Sequence, residues 1–173
     1  MNSSMNTNED RSEFLSNLAI LRQTHVFSPL PLEAVKLFAY LCTRELYKQG
    51  DYLFKTGEDD GCSYYILTGS ADLILESDGK AAVVRNYPKE SFLGALSMLA
   101  PMPRLFSLRA TCDLTAMVMT REKLSRVIEK FPELTLQIVK AVARKIDLSE
   151  KQTIEGFRKL GDDVRDLLGS SLI

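Results

Sequence analysis

The sequence predicts a mainly β chain of the α+β class, an antiparallel sandwich or barrel with helices at both ends. Three observations carry that expectation. Between residues 44 and 120, short runs rich in Tyr, Ile, Leu, Phe and Val recur and are cut by Gly- and Asp-bearing turns; a spacing of about 8–12 residues marks antiparallel strands, not alternating β-α units. Asp78-Gly79 sits between two such runs, and this pair tolerates the positive φ angles of a two-residue hairpin turn. Apolar residues at helical spacing, interrupted by prolines, occupy both ends of the chain.

Taken in order, residues 1–10 are polar and read as a flexible leader. From Arg11 to Thr24, Phe14, Leu15, Leu18, Ala19 and Leu21 follow a helical period, with Ser12 as a cap. Pro29 and Pro31 interrupt; Pro31 opens a second helix, Leu32 to Leu41, with Leu32, Val35, Phe38 and Ala39 on one stripe. Strands are expected at Arg44–Lys48, Tyr52–Lys55, Tyr64–Leu67, Asp72–Glu76 and Ala82–Tyr87. Ser91 to Pro103 breaks the alternation: Leu93, Leu96, Met98 and Leu99 around Gly94 suggest one helical turn, stopped by Pro101 and Pro103. Strands resume at Ser107–Ala110 and Leu114–Thr120. Two helices follow, Glu122–Phe131 and Glu133 to about Leu148, separated by Pro132. Gly156 and Gly161 are expected to divide residues 149–173 into short helical pieces. The organisation is thus 1–10 leader, 11–43 N-terminal helices, 44–120 β domain, 121–148 C-terminal helices and 149–173 tail.

Composition narrows the chemistry. The 173 residues carry 22 Lys+Arg against 23 Asp+Glu, a net charge of -1, whereas proteins that grip phosphate backbones carry a basic excess. DNA binding is disfavoured on that ground and because Ser149–Ile173 is short for a helix-turn-helix domain with its own core. The apolar run Leu37–Cys42 falls far short of the ~20 residues that span a bilayer, and the N-terminus has neither the basic start nor the apolar stretch of a signal peptide. Cys42, Cys62 and Cys112 are odd in number and widely spaced, which points to buried structural thiols in a reducing cytoplasm. His25 is the only histidine and reads as a packed or surface residue. There is no C-x-x-C pair, phosphate-loop motif, G-x-G-x-x-G or G-x-S-x-G. The chain is read as non-enzymatic, with no catalytic residue and no metal site.

Turn glycines Gly50, Gly57 and Gly69, the strand Tyr64–Ser70, and the ungapped block from Phe92-Leu93-Gly94-Ala95-Leu96-Ser97-Met98-Leu99 to Pro103-Arg104-Leu105-Phe106-Ser107-Leu108-Arg109-Ala110 resemble the cyclic-nucleotide-binding domain family. The resemblance covers roughly Val26 to Ile146. It implies a jelly-roll-like β-roll with a phosphate-binding cassette at 91–110, and ligand-binding positions at Gly94, Ala95, Leu96, Ser97, Arg104, Leu105, Phe106 and Ser107. The physics of those parts stands apart from the family. A Gly before a helical turn lets backbone N–H groups approach an anion, and an Arg supplies a charge-assisted contact. The resemblance implies that Arg104 grips the cyclic phosphate and that a Glu directly after Gly94 accepts the ribose 2′-hydroxyl.

Position 95 is Ala, which offers no acceptor; losing such a charged hydrogen bond costs about 1.5–3 kcal/mol. Leu105 and Phe106 replace the small residues the family places after the Arg, and Glu90 stands where it often has Gly. Arg104 alternatively pairs with Glu90, Asp113 or another carboxylate at the rim. The expected function is a regulatory domain that senses a small anionic ligand, with cyclic AMP or cyclic GMP as candidates weakened by Ala95, and relays it through the C-terminal helices. The alternative is a ligand-free interaction or scaffold domain on the same fold. The Glu133–Leu148 helix, with Leu134, Ile138, Val142 and Ile146 four apart, serves either as a homodimer seam or as a stripe packed on its own β domain.

Overall fold

A computed structural model describes residues 3–24, 26–77 and 80–159. Helices α1 (Ser3–Gln23) and α2 (Leu32–Leu41) precede eight strands: β1 (Thr43–Tyr47), β2 (Tyr52–Phe54), β3 (Cys62–Thr68), β4 (Ser70–Ser77), β5 (Lys80–Pro88), β6 (Phe92–Leu93), β7 (Ser107–Ala110) and β8 (Leu114–Thr120). A 3₁₀ turn, Leu96–Met98, lies between β6 and β7. Helix α3 (Arg121–Lys130), a second 3₁₀ turn (Pro132–Leu134) and helix α4 (Thr135–Lys159) follow. The expected α+β class, an antiparallel β-roll with helices at both ends, is what the chain adopts, although helices hold more of its residues than strands do.

The strands form two antiparallel four-stranded sheets, ordered β1-β8-β3-β6 and β2-β7-β4-β5. Alternation along β8 shows how one sequence serves two cores. Leu114, Ala116 and Val118 join Phe54, Tyr64, Ile66, Leu73 and Leu108 between the sheets. Met117 and Met119 point the other way, into a core with Leu21, Phe27, Phe38, Leu124, Val127 and Ile138 of the helical layer. This second core fixes α3 and α4 to the strand that leads into them. Thr120 caps α3, its hydroxyl accepting from the Lys123 amide.

Three expectations change. The leader of residues 1–10 gives way to helix from Ser3 onward, because no Pro or Gly interrupts the chain before Gln23 and the helix propagates through polar residues; Ser12 lies inside it, not at a cap. Gly156 does not divide the tail: α4 runs through it to Lys159, since Gly in a helix costs about 1 kcal/mol but neither clashes nor removes a donor. The thiols are not uniformly buried: Cys42 is, Cys62 is half-buried and Cys112 is exposed. Burial pushes the Cys42 thiol up to about 12, which leaves it inert at neutral pH. The Asp78-Gly79 turn, His25 and Gly161 lie outside the described residues, although Ser77 and Lys80 on either side of that turn are paired as a hairpin requires.

Candidate functional site

The site forms where the 3₁₀ turn leaves the first sheet. Gly94 follows β6 with φ of 77°, a left-handed conformation that disfavours any side chain. A Cβ there would stand 2.7 Å from the Cys62 carbonyl oxygen and 3.0 Å from Nη1 of Arg104. The missing side chain is therefore what lets the guanidinium lie against this backbone.

Arg104 is fixed twice. Its backbone exchanges hydrogen bonds with the β2–β3 loop: its N–H donates to the Glu58 carbonyl, and its carbonyl accepts from the Gly57 N–H, each at 2.8 Å. The residue is 9% exposed. Nη2 donates to Asp60 Oδ1 at 2.6 Å and Oδ2 at 3.0 Å, and to the Cys62 carbonyl at 2.6 Å. The guanidinium stacks 4.0 Å over the Phe54 ring. The Tyr64 hydroxyl lies 2.9 Å from the same Asp60 carboxylate and 3.0 Å from the Leu53 carbonyl, and burial first, then the Asp60 charge, raises this phenol above its ordinary value. Nη2 carries every hydrogen bond the guanidinium makes to the described residues. The Nε–H is buried without a partner among the described residues, a state that costs about 1–3 kcal/mol.

Gly94, Ala95, Leu96, Ser97, Arg104 and Phe106 line one cavity of about 350 Å³ together with Leu93. Six of the eight sequence-predicted positions thus come together. Two do not. Leu105 is 73% exposed and turns away to solvent, because it sits between the inward-facing Arg104 and the start of β7. Ser107 is buried on β7, where its hydroxyl accepts from the Thr56 amide at 3.0 Å and bonds no part of the cavity. The cavity is therefore not plugged by Leu105, and Phe106 forms part of one wall.

Sequence reasoning also missed several participants. The carboxylate facing Arg104 is Asp60, not Glu90 or Asp113; Asp113 instead binds Lys48. Ile146, Glu150 and Ile154 of α4 complete the cavity lining, and their four-residue spacing puts them on one helix face. Arg121, the first residue of α3, ties the cassette to the helices. Its Nε donates to the Ser97 carbonyl at 2.9 Å, its Nη2 to the Ala100 carbonyl at 3.0 Å, and both terminal nitrogens reach Asp59. The adjacent aspartates 59 and 60 thus hold two arginines, one in the cavity wall and one at the root of α3. The Arg121 bond holds the Asp59 carboxyl below its ordinary value, against a smaller upward push from burial.

Glu90 has φ of 69°, which explains physically why Gly suits this turn; its N–H donates to the Ile66 carbonyl at 2.8 Å. Among the described residues, no cluster of His, Cys, Asp and Glu is arranged to hold a metal ion, and no helix is long and apolar enough to cross a membrane.

Two packed antiparallel sheets, helices after the last strand, and a Gly–3₁₀ turn–Arg cassette against a cavity define a β-roll with its cassette between β6 and β7. The sequence profile described as the cyclic nucleotide-binding domain matches residues 44–131, and the chain belongs to that family. It is 34% identical over 110 residues to a cAMP-dependent protein kinase regulatory subunit of Colletotrichum orbiculare, covering 62% of this chain and 27% of that one. It is 32% identical over 117 residues to patatin-like phospholipase domain-containing protein 6 of Mus musculus, covering 61% of this chain and 9% of that protein. The chain therefore spans less than a third of the length of these curated relatives. Among solved structures, a cyclic nucleotide-binding domain from Methylobacillus flagellatus superposes with a TM-score of 0.70 at 18% identity, over 84% of this chain and 82% of that one.

Proposed function

We propose that this chain is a non-enzymatic regulatory domain that binds a small organic anion at Arg104 and relays its occupancy through α3 and α4. The observation that carries this reading is the Arg104 guanidinium, which lies in the cavity lining against Gly94 and bonds the described residues through Nη2 alone, leaving Nη1 for an anion. An anion there meets a guanidinium held rigid by Asp60 and by stacking on Phe54. Relay follows from connectivity. Arg121 binds cassette carbonyls on one side and begins α3 on the other, and α4 supplies Ile146, Glu150 and Ile154 to the cavity. A ligand that shifts the cassette shifts the equilibrium of both helices by as much as its affinity differs between the two states.

A second reading, a ligand-free interaction domain, draws on one observation: Asp60 already neutralises Arg104 in an ion pair whose side chains are 8% and 18% exposed. Titration calorimetry separates the two, with cyclic AMP, cyclic GMP, cyclic dinucleotides and simple organic anions as ligands and hydrogen exchange of α3 and α4 as the second readout. The sensing role predicts saturable heat with at least one anion, abolished in Arg104→Gln, and slowed exchange in α4. Absence of heat at millimolar concentrations for all of them, in wild type and variant alike, leaves the interaction domain. Homodimerisation through the exposed side of α4 and a cytoplasmic setting belong to the same proposal.

A further inference from the structure

Among the described residues, the cavity lining is largely apolar. Leu93, Ala95, Leu96, Phe106, Ile146 and Ile154 supply most of its walls, Ser97 is buried beside them, and Arg104 and Glu150 are the ionic side chains. A ribonucleotide brings hydroxyls, ring nitrogens and often an amine, each of which must exchange water for a protein partner or lose affinity. Ala95, the residue beside Gly94, answers with a methyl group that is 4% exposed and packed into the helical core. Charge sets a second limit. Asp60 already takes up Nη2 of Arg104, and Glu150 adds another carboxylate from α4. A ligand with several negative charges meets repulsion at both places; one with a single charged end and a neutral far end does not. The cavity, at about 350 Å³, falls within the size range of small-molecule sites.

We propose that the preferred ligand is an amphipathic monoanion, a carboxylate or sulfonate head on an aromatic or medium-chain aliphatic body, and not a ribonucleotide. The inference rests on Arg104 as the anion anchor. The head takes Nη1 of Arg104, which makes no hydrogen bond to the described residues and lies against Gly94, and the body lies along Phe106 and Leu93 beneath Ile146 and Ile154. These two isoleucines, eight residues apart on one face of α4, bring the apolar body and the C-terminal helix into direct contact.

The test is calorimetry on the full chain with sodium decanoate, anilinonaphthalene sulfonate, decanol and cyclic AMP. Both apolar anions are expected to bind at least tenfold more tightly than cyclic AMP. Arg104→Gln is expected to weaken them at least tenfold while leaving decanol unaffected. Ile154 is half-exposed, so Ile154→Asp keeps the fold; it is expected to weaken both apolar anions at least fivefold with no change in thermal midpoint. Cyclic AMP binding as tightly as the apolar anions, still dependent on Arg104, overturns the inference and leaves the anion-sensing role intact. Apolar-anion binding indifferent to both variants means adsorption elsewhere and also overturns it. No binding by any anion removes the sensing role as well.

Discussion

Replacing Gly94 with Ala tests the cradle at its tightest point. The left-handed backbone alone costs a non-glycine residue about 1–2 kcal/mol, of which about 0.4–1 kcal/mol is recovered from the less flexible unfolded chain. The new methyl would also stand 2.7 Å from the Cys62 carbonyl oxygen and 3.0 and 3.2 Å from the two terminal nitrogens of Arg104. Relief requires the carbonyl or the guanidinium to move, and the 2.6 Å bond between them is the first loss, worth about 1.5–3 kcal/mol for a charged donor. Together the substitution is expected to cost about 2–4 kcal/mol, or roughly 5–12 °C of thermal midpoint at this chain length. Gly50→Ala is the control, since Gly50 has φ of 91° but nothing within 4 Å of its would-be Cβ; backbone strain alone predicts a loss of about 1 kcal/mol. Urea and thermal unfolding followed by circular dichroism measure both. Equal losses at the two positions would refute the claim that Gly94 is required by contact with Arg104.

Other outcomes follow from the same contacts. Asp60→Asn leaves the Arg104 charge without its counterion and is expected to cost about 3 kcal/mol in urea unfolding, as breaking a buried pair does, while anion affinity measured by calorimetry rises; a fall in both would contradict the competition between Asp60 and ligand. Glu90→Gly removes left-handed strain from a non-glycine residue and is expected to stabilise the fold by about 0.5–1 kcal/mol in the same assay. The Asp59 carboxyl is depressed below 3.8 by Arg121, so the stability it contributes is present above that value and lost as pH falls through the lower, folded one. Protection factors for hydrogen exchange at Ser97, Ala100 and the first turn of α3, corrected for the intrinsic pH dependence of exchange, should therefore stay level down to about pH 4 and fall below it, and Arg121→Met should remove the transition.

The strands, the helical turn after Gly94 and the inward Arg104 were legible because each rests on local pattern: alternation, turn residues, and a fixed spacing inside one block. What the pattern missed depends on partners distant in sequence. Asp60 lies in an acidic turn whose residues look like ordinary solvent-facing punctuation, and only the packing of β2, β3 and β7 brings it to Arg104, 44 positions away. Arg121 resembles any charged first residue of a helix, yet it is held by Asp59, 62 positions earlier. Gly156 reads as a break because glycine disfavours helix; the energetic cost is small enough for α4 to continue, and that continuation carries it past Ile154 at the cavity. The resemblance implies a site role for Leu105, but the chain bends at Leu105 and Phe106 before β7, and Leu105 faces water.

The Nη1 protons of Arg104 report on the central claim most directly. In the free protein, proton–nitrogen correlation spectra should show them free of the downfield shift of a hydrogen-bonded donor. Titration with a bound anion should move these resonances downfield in step with saturation, before or together with the amides of α4. Resonances already shifted in the free protein, or whose position no anion changes, would contradict the account of Arg104 as a preformed anchor.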